Sequence, residues 1–316
     1  MKERLKMALV LILALCLAGC TGCFRENRLY KLELIVRYAP SGYWQQVYTG
    51  AKAAATQYDI ELTYLGPEKD RMEQIRILEQ AAERMPDAII LAAADYSIMA
   101  NPMEQLVKAG IDVIMVDSAI DSDKWVSFIS SDNYGIGASL ASELMPRVSS
   151  PGSVGVISFI KDSYPFVDRE KGFLHAISGA HGLYALETLY CDSSVDTAEQ
   201  LAEDMIRENP DLVAIAGLNI VCAVGAARAM ESLGRQDIVL VAVDLGIDGA
   251  HYMEQGTLDV AIIQNPYLMG YYSVETAMQH LAGKNVDRNI FTETRIIDKG
   301  NMFSEENQQL IFPFGL

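Results

Sequence analysis

Two apolar runs, Ala88 to Ala92 and Asp112 to Val116, constrain this chain more than any other feature: past the opening Asp112, neither contains a polar side chain. A strand with one face in water alternates polar and apolar residues. A run without alternation has both faces covered, as in a parallel sheet held between layers of helix. A helical pattern from Ser97 to Ala109, closed by Gly110, lies between the two runs. The same alternation precedes them, with strands predicted at Leu32 to Tyr38 and Ile60 to Leu65. Helices are predicted from Tyr43 to Tyr58, and from Asp70 with Ile75, Leu78 and Ala82 on one face.

The rhythm restarts after Phe128 to Gly137, where the apolar Val126, Phe128 and Ile129 give way at Asp132 and Asn133 to a helical pattern carrying Ile136, Leu140 and Leu144. Strands are then predicted at Ser153 to Phe159, Tyr184 to Tyr190, Leu212 to Ala216, Ile238 to Val243 and Leu258 to Ile263, with a late one at Ile290 to Ile297. Helices between them are predicted at Phe166 to Ser178, Val195 to Glu208, Val221 to Leu233, Ile247 to Glu254 and Met269 to Leu281, with a short segment closing the chain. Alternation of this kind builds doubly wound α/β layers. The 316 residues suffice for two such lobes, each of roughly 100 to 150 residues.

The N-terminus carries an export pattern. Lys2, Arg4 and Lys6 precede an unbroken apolar run, Met7 to Ala18, and Leu17-Ala18-Gly19 places small residues before Cys20. The run is too short to cross a hydrocarbon core of roughly 30 Å, so a cleaved secretory signal is the reading. The Leu-Ala-Gly-Cys ending resembles a bacterial lipoprotein signal, which implies lipidation of Cys20 and a mature chain tethered to the outer face of a membrane. The formal charge is −17, and the basic N-terminus makes the remainder more acidic still. Such a surface repels phosphate backbones and argues against nucleic acid as a partner.

Of five cysteines, Cys16 leaves with the signal, Cys20 takes the lipid and Cys23 lies in the tether. Cys191 and Cys222, a whole predicted helix apart, are read as two buried or half-buried thiols, with a disulfide as the alternative. His175, His181, His251 and His280 show no ligand spacing, and no metal site or cofactor is expected.

Ligands of open parallel sheets collect beyond the carboxyl ends of the strands. Those ends present Ser41, Tyr43 and Trp44, then Asp95, then Asp117 and Ser118; the second half offers Asp168 and Arg169, Asn219, Asp244 and Gln264. Acids, amides and a forked cation beside aromatic rings suit a polyhydroxyl ligand, its hydroxyls bonded and its C–H faces stacked.

In this order the residues resemble the type I periplasmic binding proteins of the ribose and galactose group, which serve ABC importers, from about Leu32 to the C-terminus. Ser41-Gly42-Tyr43-Trp44 resembles that family's Asn-Pro-Phe-Phe segment, and Ile129 to Asn133 its Ile-x-x-Asp-Asn crossover. Arg169 to Phe173 is similar to its Arg-x-x-Gly-Phe helix start, Asp244 to its Val-x-Gly-Phe-Asp aspartate, and Gln264-Asn265-Pro266 to its Gln-x-Pro segment. The resemblance implies ligand contacts from Tyr43, Trp44, Asp117, Arg169, Asn219, Asp244 and Gln264, and a hinge at Ser131, Asp132, Asn133, Gln264 and Asn265. Asp132 and Asn133 are expected to cap a helix and hold the hinge.

Each residue also has a plainer role open to it. Asp117 and Asp244 can end strands, Tyr43 and Trp44 can staple a helix, Arg169 can be a solvated partner of Asp168, Asn219 can be an N-cap and Gln264 can be structural. Tyr134, Phe166 and Tyr267 are expected to pack, and Asp95 is left out of the ligand set. Ser118 stands where ribose binders have an arginine, Ile220 where an acid is usual and Ser41 where an asparagine is, which turns the expectation away from ribose itself.

The implied organisation is a signal peptide at 1–19, a tether at 20–29, an N-terminal lobe of 30–131 plus 265–294 and a C-terminal lobe of 132–264 plus 295–316, joined by about three crossovers. The implied function is capture of a monosaccharide or similar polyol between the lobes by a monomer and its delivery to an ABC permease. A sugar-sensing subunit for a histidine kinase or chemoreceptor is the alternative. No GxSxG elbow, phosphate loop or metal cluster points to an enzyme, and no catalytic residue is expected.

Overall fold

The computed structural model describes residues 29–161 and 163–312, so the signal, the tether and Cys20 lie outside the described residues. The chain runs β1 (Lys31–Ile35), α1 (Gly42–Tyr58), β2 (Glu61–Leu65), α2 (Glu73–Arg84), β3 (Ala88–Leu91), α3 (Ala100–Lys108), β4 (Asp112–Val116), β5 (Ser127–Ser131) and α4 (Asn133–Leu144). There follow β6 (Gly152–Ser158), α5 (Phe166–Ser178), β7 (Leu183–Ala185), β8 (Leu189–Tyr190), α6 (Val195–Glu208), β9 (Leu212–Gly217), α7 (Ile220–Leu233), β10 (Val239–Val243) and α8 (Gly246–Gln255). The last elements are β11 (Val260–Ile263), α9 (Pro266–Leu281), β12 (Asn289–Thr292), β13 (Arg295–Asp298) and α10 (Glu305–Ile311).

These elements make two α/β lobes. One sheet has the order β12-β5-β4-β3-β1-β2, all of its pairings parallel. The other has the order β13-β11-β10-β9-β6-β7 with β8 also on β6, parallel except where β13 runs against β11. The unalternating runs behave as their composition requires: every residue of β3 is buried, as is all of β4 after Asp112. One face of the first sheet packs Ile89, Leu91, Val113 and Met115 against Leu78, Met103 and Leu106 of α2 and α3. The second sheet is covered on both sides, by α4 and α5 through Ile136, Leu140 and Phe173 and by α6 and α7 through Met205, Ala226 and Met230.

Three crossovers connect the sheets: β5 leads into α4, β11 into α9, and β12 into β13. The helix that begins after each of the first two is clamped to its new lobe at backbone distance. A Cβ on Gly270 of α9 would lie 1.8 Å from the Val47 carbonyl oxygen of α1, and one on Gly50 of α1 would lie 1.8 Å from that of Tyr267. In the other lobe a Cβ on Gly137 of α4 would lie 2.0 Å from the Arg169 carbonyl, and one on Gly172 of α5 would lie 2.1 Å from that of Tyr134. Only glycine permits either approach, and alanine at any of the four positions forces the helices apart, at about 1–3 kcal/mol by the usual cost of overpacking.

Two expectations need correction. The late strand predicted at Ile290 to Ile297 is two strands in different sheets, β12 and β13, because the chain passes between lobes at Glu293 and Thr294. The strand predicted at Tyr184 to Tyr190 is likewise two short pieces, both paired to β6 and interrupted after Ala185. The closing segment also holds a helix, α10, which buries Asn307 and Ile311.

Candidate functional site

The carboxyl ends of β4 and β10 carry the same device, one in each lobe. Asp117 and Asp244 follow their strands with φ of 60° and 65°. Each donates its N–H to the neighbouring strand, Asp117 to Ile129 O at 2.8 Å and Asp244 to Ile262 O at 2.9 Å. Aspartate tolerates this left-handed backbone better than most residues. The turn takes each carboxylate out of the strand and into a cleft of about 1090 Å³. All seven predicted ligand residues, Tyr43, Trp44, Asp117, Arg169, Asn219, Asp244 and Gln264, line that cleft. A smaller cavity of about 580 Å³, between α1, the start of α9 and α10, contains none of them.

On the first lobe, the Tyr43 hydroxyl donates to Asp117 Oδ1 at 2.7 Å, and Ser118 Oγ donates to Oδ2 at 2.7 Å. Burial, with the negative charge of Asp117 next to it, holds the Tyr43 proton well above the usual tyrosine range. Trp44 is buried and meets the Tyr43 ring edge-on, with centroids 5.1 Å apart. The staple reading and the cleft reading of this pair are therefore compatible: Trp44 anchors α1 while Tyr43 orients the acid.

On the second lobe, Arg169 is 2% exposed, so the solvated helix-start role is excluded. Its Nε donates to Asn133 Oδ1 at 2.8 Å and its Nη1 to Leu218 O at 3.1 Å, with the Phe166 ring 5.4 Å away. Among the described residues no carboxylate is bonded directly to it, and it balances Asp244 through space. Burial pushes the Asp244 carboxyl up from its ordinary value; the Arg169 charge and the Gln264 amide pull the other way without cancelling the shift. Gln264 Nε2 donates to both Asp244 oxygens, at 3.1 and 3.2 Å. Its Oε1 is buried and has no partner among the described protein atoms, an acceptor that native interiors seldom leave bare. Asn219 is the N-cap of α7, accepting from Cys222 N at 3.2 Å through Oδ1, which leaves its NH2 as the group it can offer the cleft.

Around the first two crossovers, Asp132 caps α4 through Gly135 N at 2.9 Å and Asn265 caps α9 through Leu268 N at 3.0 Å. Asn133 Nδ2 donates to Ser131 O at 3.2 Å, so the residue that holds Arg169 is itself held by the crossover.

Sequence reasoning missed Arg37, two residues past β1. Its Nη1 donates to Ser118 Oγ at 3.2 Å, and it reaches the other lobe at Tyr164 O and Ser163 Oγ, both at 3.4 Å. A guanidinium thus stands beside Ser118, where the arginine of the resemblance is lacking. The signal was a charged residue directly after the apolar Leu34-Ile35-Val36 at the end of the first strand. Asp95, left out of the set, also lines the cleft and pairs with Arg71 at 3.1 Å. Phe166 lines the cleft beside Phe159, whereas Tyr267 belongs to the smaller cavity and Tyr134 is bonded to His175.

Comparison with known proteins identifies the family and the fold. Residues 32–285 match the profile described as "Periplasmic binding protein domain", and the chain belongs to that family. It is 23% identical over 269 residues to the ribose import binding protein of Escherichia coli, covering 85% of this chain and 90% of that one. Among solved structures it resembles a solute-binding protein of Agrobacterium vitis bound with α-D-tagatopyranose, with TM-score 0.85, 27% identity and coverage of 89% and 99%. A second likeness is a carbohydrate transporter solute-binding protein of Agrobacterium radiobacter in complex with D-arabinose, with TM-score 0.83, 26% identity and coverage of 90% and 100%. The protein is a type I periplasmic binding protein that captures a solute and delivers it to an ABC importer, which places it outside the cytoplasm.

Proposed function

We propose that this protein binds a monosaccharide or similar polyol between its lobes. The observation that carries the reading is the pair Asp117 and Asp244, set by the same left-handed turn at equivalent strand ends of the two lobes and opening onto one cleft. A ligand spanning that cleft bonds both lobes at once and so favours the closed arrangement over the open one. Its hydroxyls donate to the two carboxylates and to the bare Gln264 Oε1; Asn219 and the arginines donate to its oxygens. Tyr43, Trp44 and Phe166 supply aromatic surface. The relatives named above are described with ribose, tagatose and arabinose, which supports a sugar of this size. Arg37 beside Ser118 gives the donor set a layout unlike that expected for ribose. Held acceptors and donors suit static recognition, and we assign no chemistry on the ligand.

We further propose the lobe division at 30–131 plus 265–294 and 132–264 plus 295–316, a lipid anchor at Cys20 following signal cleavage, and a monomer that meets an ABC permease. Among the described residues no helix is long and apolar enough to cross a membrane. A sensor-kinase partner is a second reading that no structural observation favours.

A thermal-shift screen of the purified chain against monosaccharides, polyols and nucleosides tests the proposal. A monosaccharide or polyol that raises Tm for the wild type but not for Asp117→Ala or Asp244→Ala is the expected result. Stabilisation only by nucleosides, or equal stabilisation of both variants, refutes it.

A further inference from the structure

Behind the second-lobe wall of the cleft lie two thiols that ligand binding does not use. Cys191 follows β8 and Cys222 sits in the first turn of α7; both are fully buried, and their sulfurs are 3.6 Å apart. Thirty-one positions of sequence separate them, and the topology closes that gap by placing β8 and β9 on either side of β6.

The turn carrying Cys191 is held around its sulfur. Asp192 and Ser193 are consecutive non-glycine residues at φ 46° and 67°, a costly conformation. The Ser194 N–H closes the turn by donating to the Cys191 carbonyl at 3.0 Å, and the Cys191 thiol lies 3.9 Å from Phe159 O. The neighbouring Cys222 thiol, helped by backbone N–H groups of the turn, brings Cys191 down to about 7, while burial pushes Cys222 up. Two facing sulfurs of unequal acidity, already in contact, are suited to joining by thiol–disulfide exchange.

We propose that Cys191 and Cys222 form a disulfide in the exported protein, tying the turn that carries Ser193 to the helix start that carries Asn219. Both of those residues line the cleft, so the bond braces the second-lobe wall from behind. Closing it requires the sulfurs to approach from 3.6 Å to about 2.05 Å. Two thiols lose two protons and two electrons, and the oxidant is a disulfide of the extracytoplasmic space, either a small molecule or an oxidoreductase. The Cys191 thiolate attacks one sulfur of that disulfide and expels the other as a thiolate. The Cys222 thiolate then attacks Cys191, forming the internal bond and releasing the second sulfur, so the oxidant leaves as two thiols. Because both cysteines are enclosed in the folded chain, the exchange belongs to folding after export, in a compartment that sustains disulfides.

The test needs no variant. The full chain, exported and purified without reductant, is blocked with N-ethylmaleimide in denaturant, digested and mapped by mass spectrometry. The expected result is a peptide pair linked through Cys191 and Cys222, unlabelled until reductant is added. Full labelling of both cysteines, even after refolding in oxidised glutathione, overturns the proposal, as does linkage of either one to Cys23 or to glutathione in place of the other. A stability measurement adds a second arm. Under non-reducing conditions, Cys191→Ser/Cys222→Ser melts roughly 5–10 °C below the wild type, and reductant removes the difference. Equal melting of the untreated proteins counts against the bond.

Discussion

Asp117 and Asp244 share backbone geometry, strand position and cleft, but their partners differ. Asp117 has both oxygens engaged by hydroxyls of its own lobe, Tyr43 and Ser118, and Ser118 in turn accepts from Arg37. Among the described residues Asp244 is bonded by Gln264 alone, whose side-chain oxygen is bare, and its balancing cation Arg169 is committed elsewhere. The first-lobe acid is therefore oriented before any ligand arrives, whereas the second-lobe acid and its glutamine retain unmet bonding capacity. With the ligand bound as proposed, the first wall would set its orientation and the second would gain most from closure.

The largest departure from that asymmetry should follow loss of Arg169. Arg169→Met leaves Asp244 facing the cleft without its cation and releases Asn133 from its partner. Calorimetric titration should show ligand affinity reduced at least about 100-fold, and denaturant unfolding a stability loss of about 1–3 kcal/mol, as the buried Asn133 and Leu218 acceptors lose their donor.

Next come the acids. Asp117→Asn and Asp244→Asn should each weaken binding, and the asymmetry predicts different partners to the loss. Tyr43→Phe should reproduce part of the Asp117→Asn effect because it removes one of that acid's two orienting bonds. Gln264→Leu should reproduce part of the Asp244→Asn effect. Equal losses in both cross-comparisons would break the distinction between the walls.

A smaller effect is expected at Arg37. Its replacement by alanine removes the Ser118 bond and both bonds to the second lobe, and should weaken binding about tenfold, the scale of one charge-assisted hydrogen bond. Arg37→Lys should recover only part of it, since a point charge lacks the fork.

The smallest effect is a pH dependence. The folded protein keeps a proton on Asp244 to higher pH than the unfolded chain does. Stability of the ligand-free protein from this group is therefore greatest below the ordinary carboxylate value and declines as pH rises through the raised one. Affinity for a ligand that donates hydroxyls to the carboxylate rises over the same window. Asp244→Asn should flatten both curves, and Asp117→Asn should leave the Asp244-dependent rise in place.

Much of this architecture was legible in residues such as Ala88 to Leu91, whose lack of alternation determined the sheet type before any contact was known. The seven cleft residues were legible because strand ends are where such sheets gather ligands. Arg37 was not, because its importance comes from Ser118 and Tyr164, which are 81 and 127 positions away. Nor was the division of Ile290 to Ile297: one short amphipathic pattern serves two sheets equally well, and only Glu293 and Thr294 mark the passage. The approach of Cys191 to Cys222 depended on strand order in the sheet, which spacing alone does not reveal.

The glycine clamps of α1 on α9 and of α4 on α5 separate two inheritances within the molecule. Each of the first two crossovers enters a helix locked to its lobe at backbone distance, so the closure proposed above would turn on a few connecting residues at 131–133, 264–265 and 293–294. Side chains on the cleft walls can then drift from one solute to another while the axis of movement, and the face offered to a permease, stay constant. A lineage of such proteins can change its diet without relearning how to close.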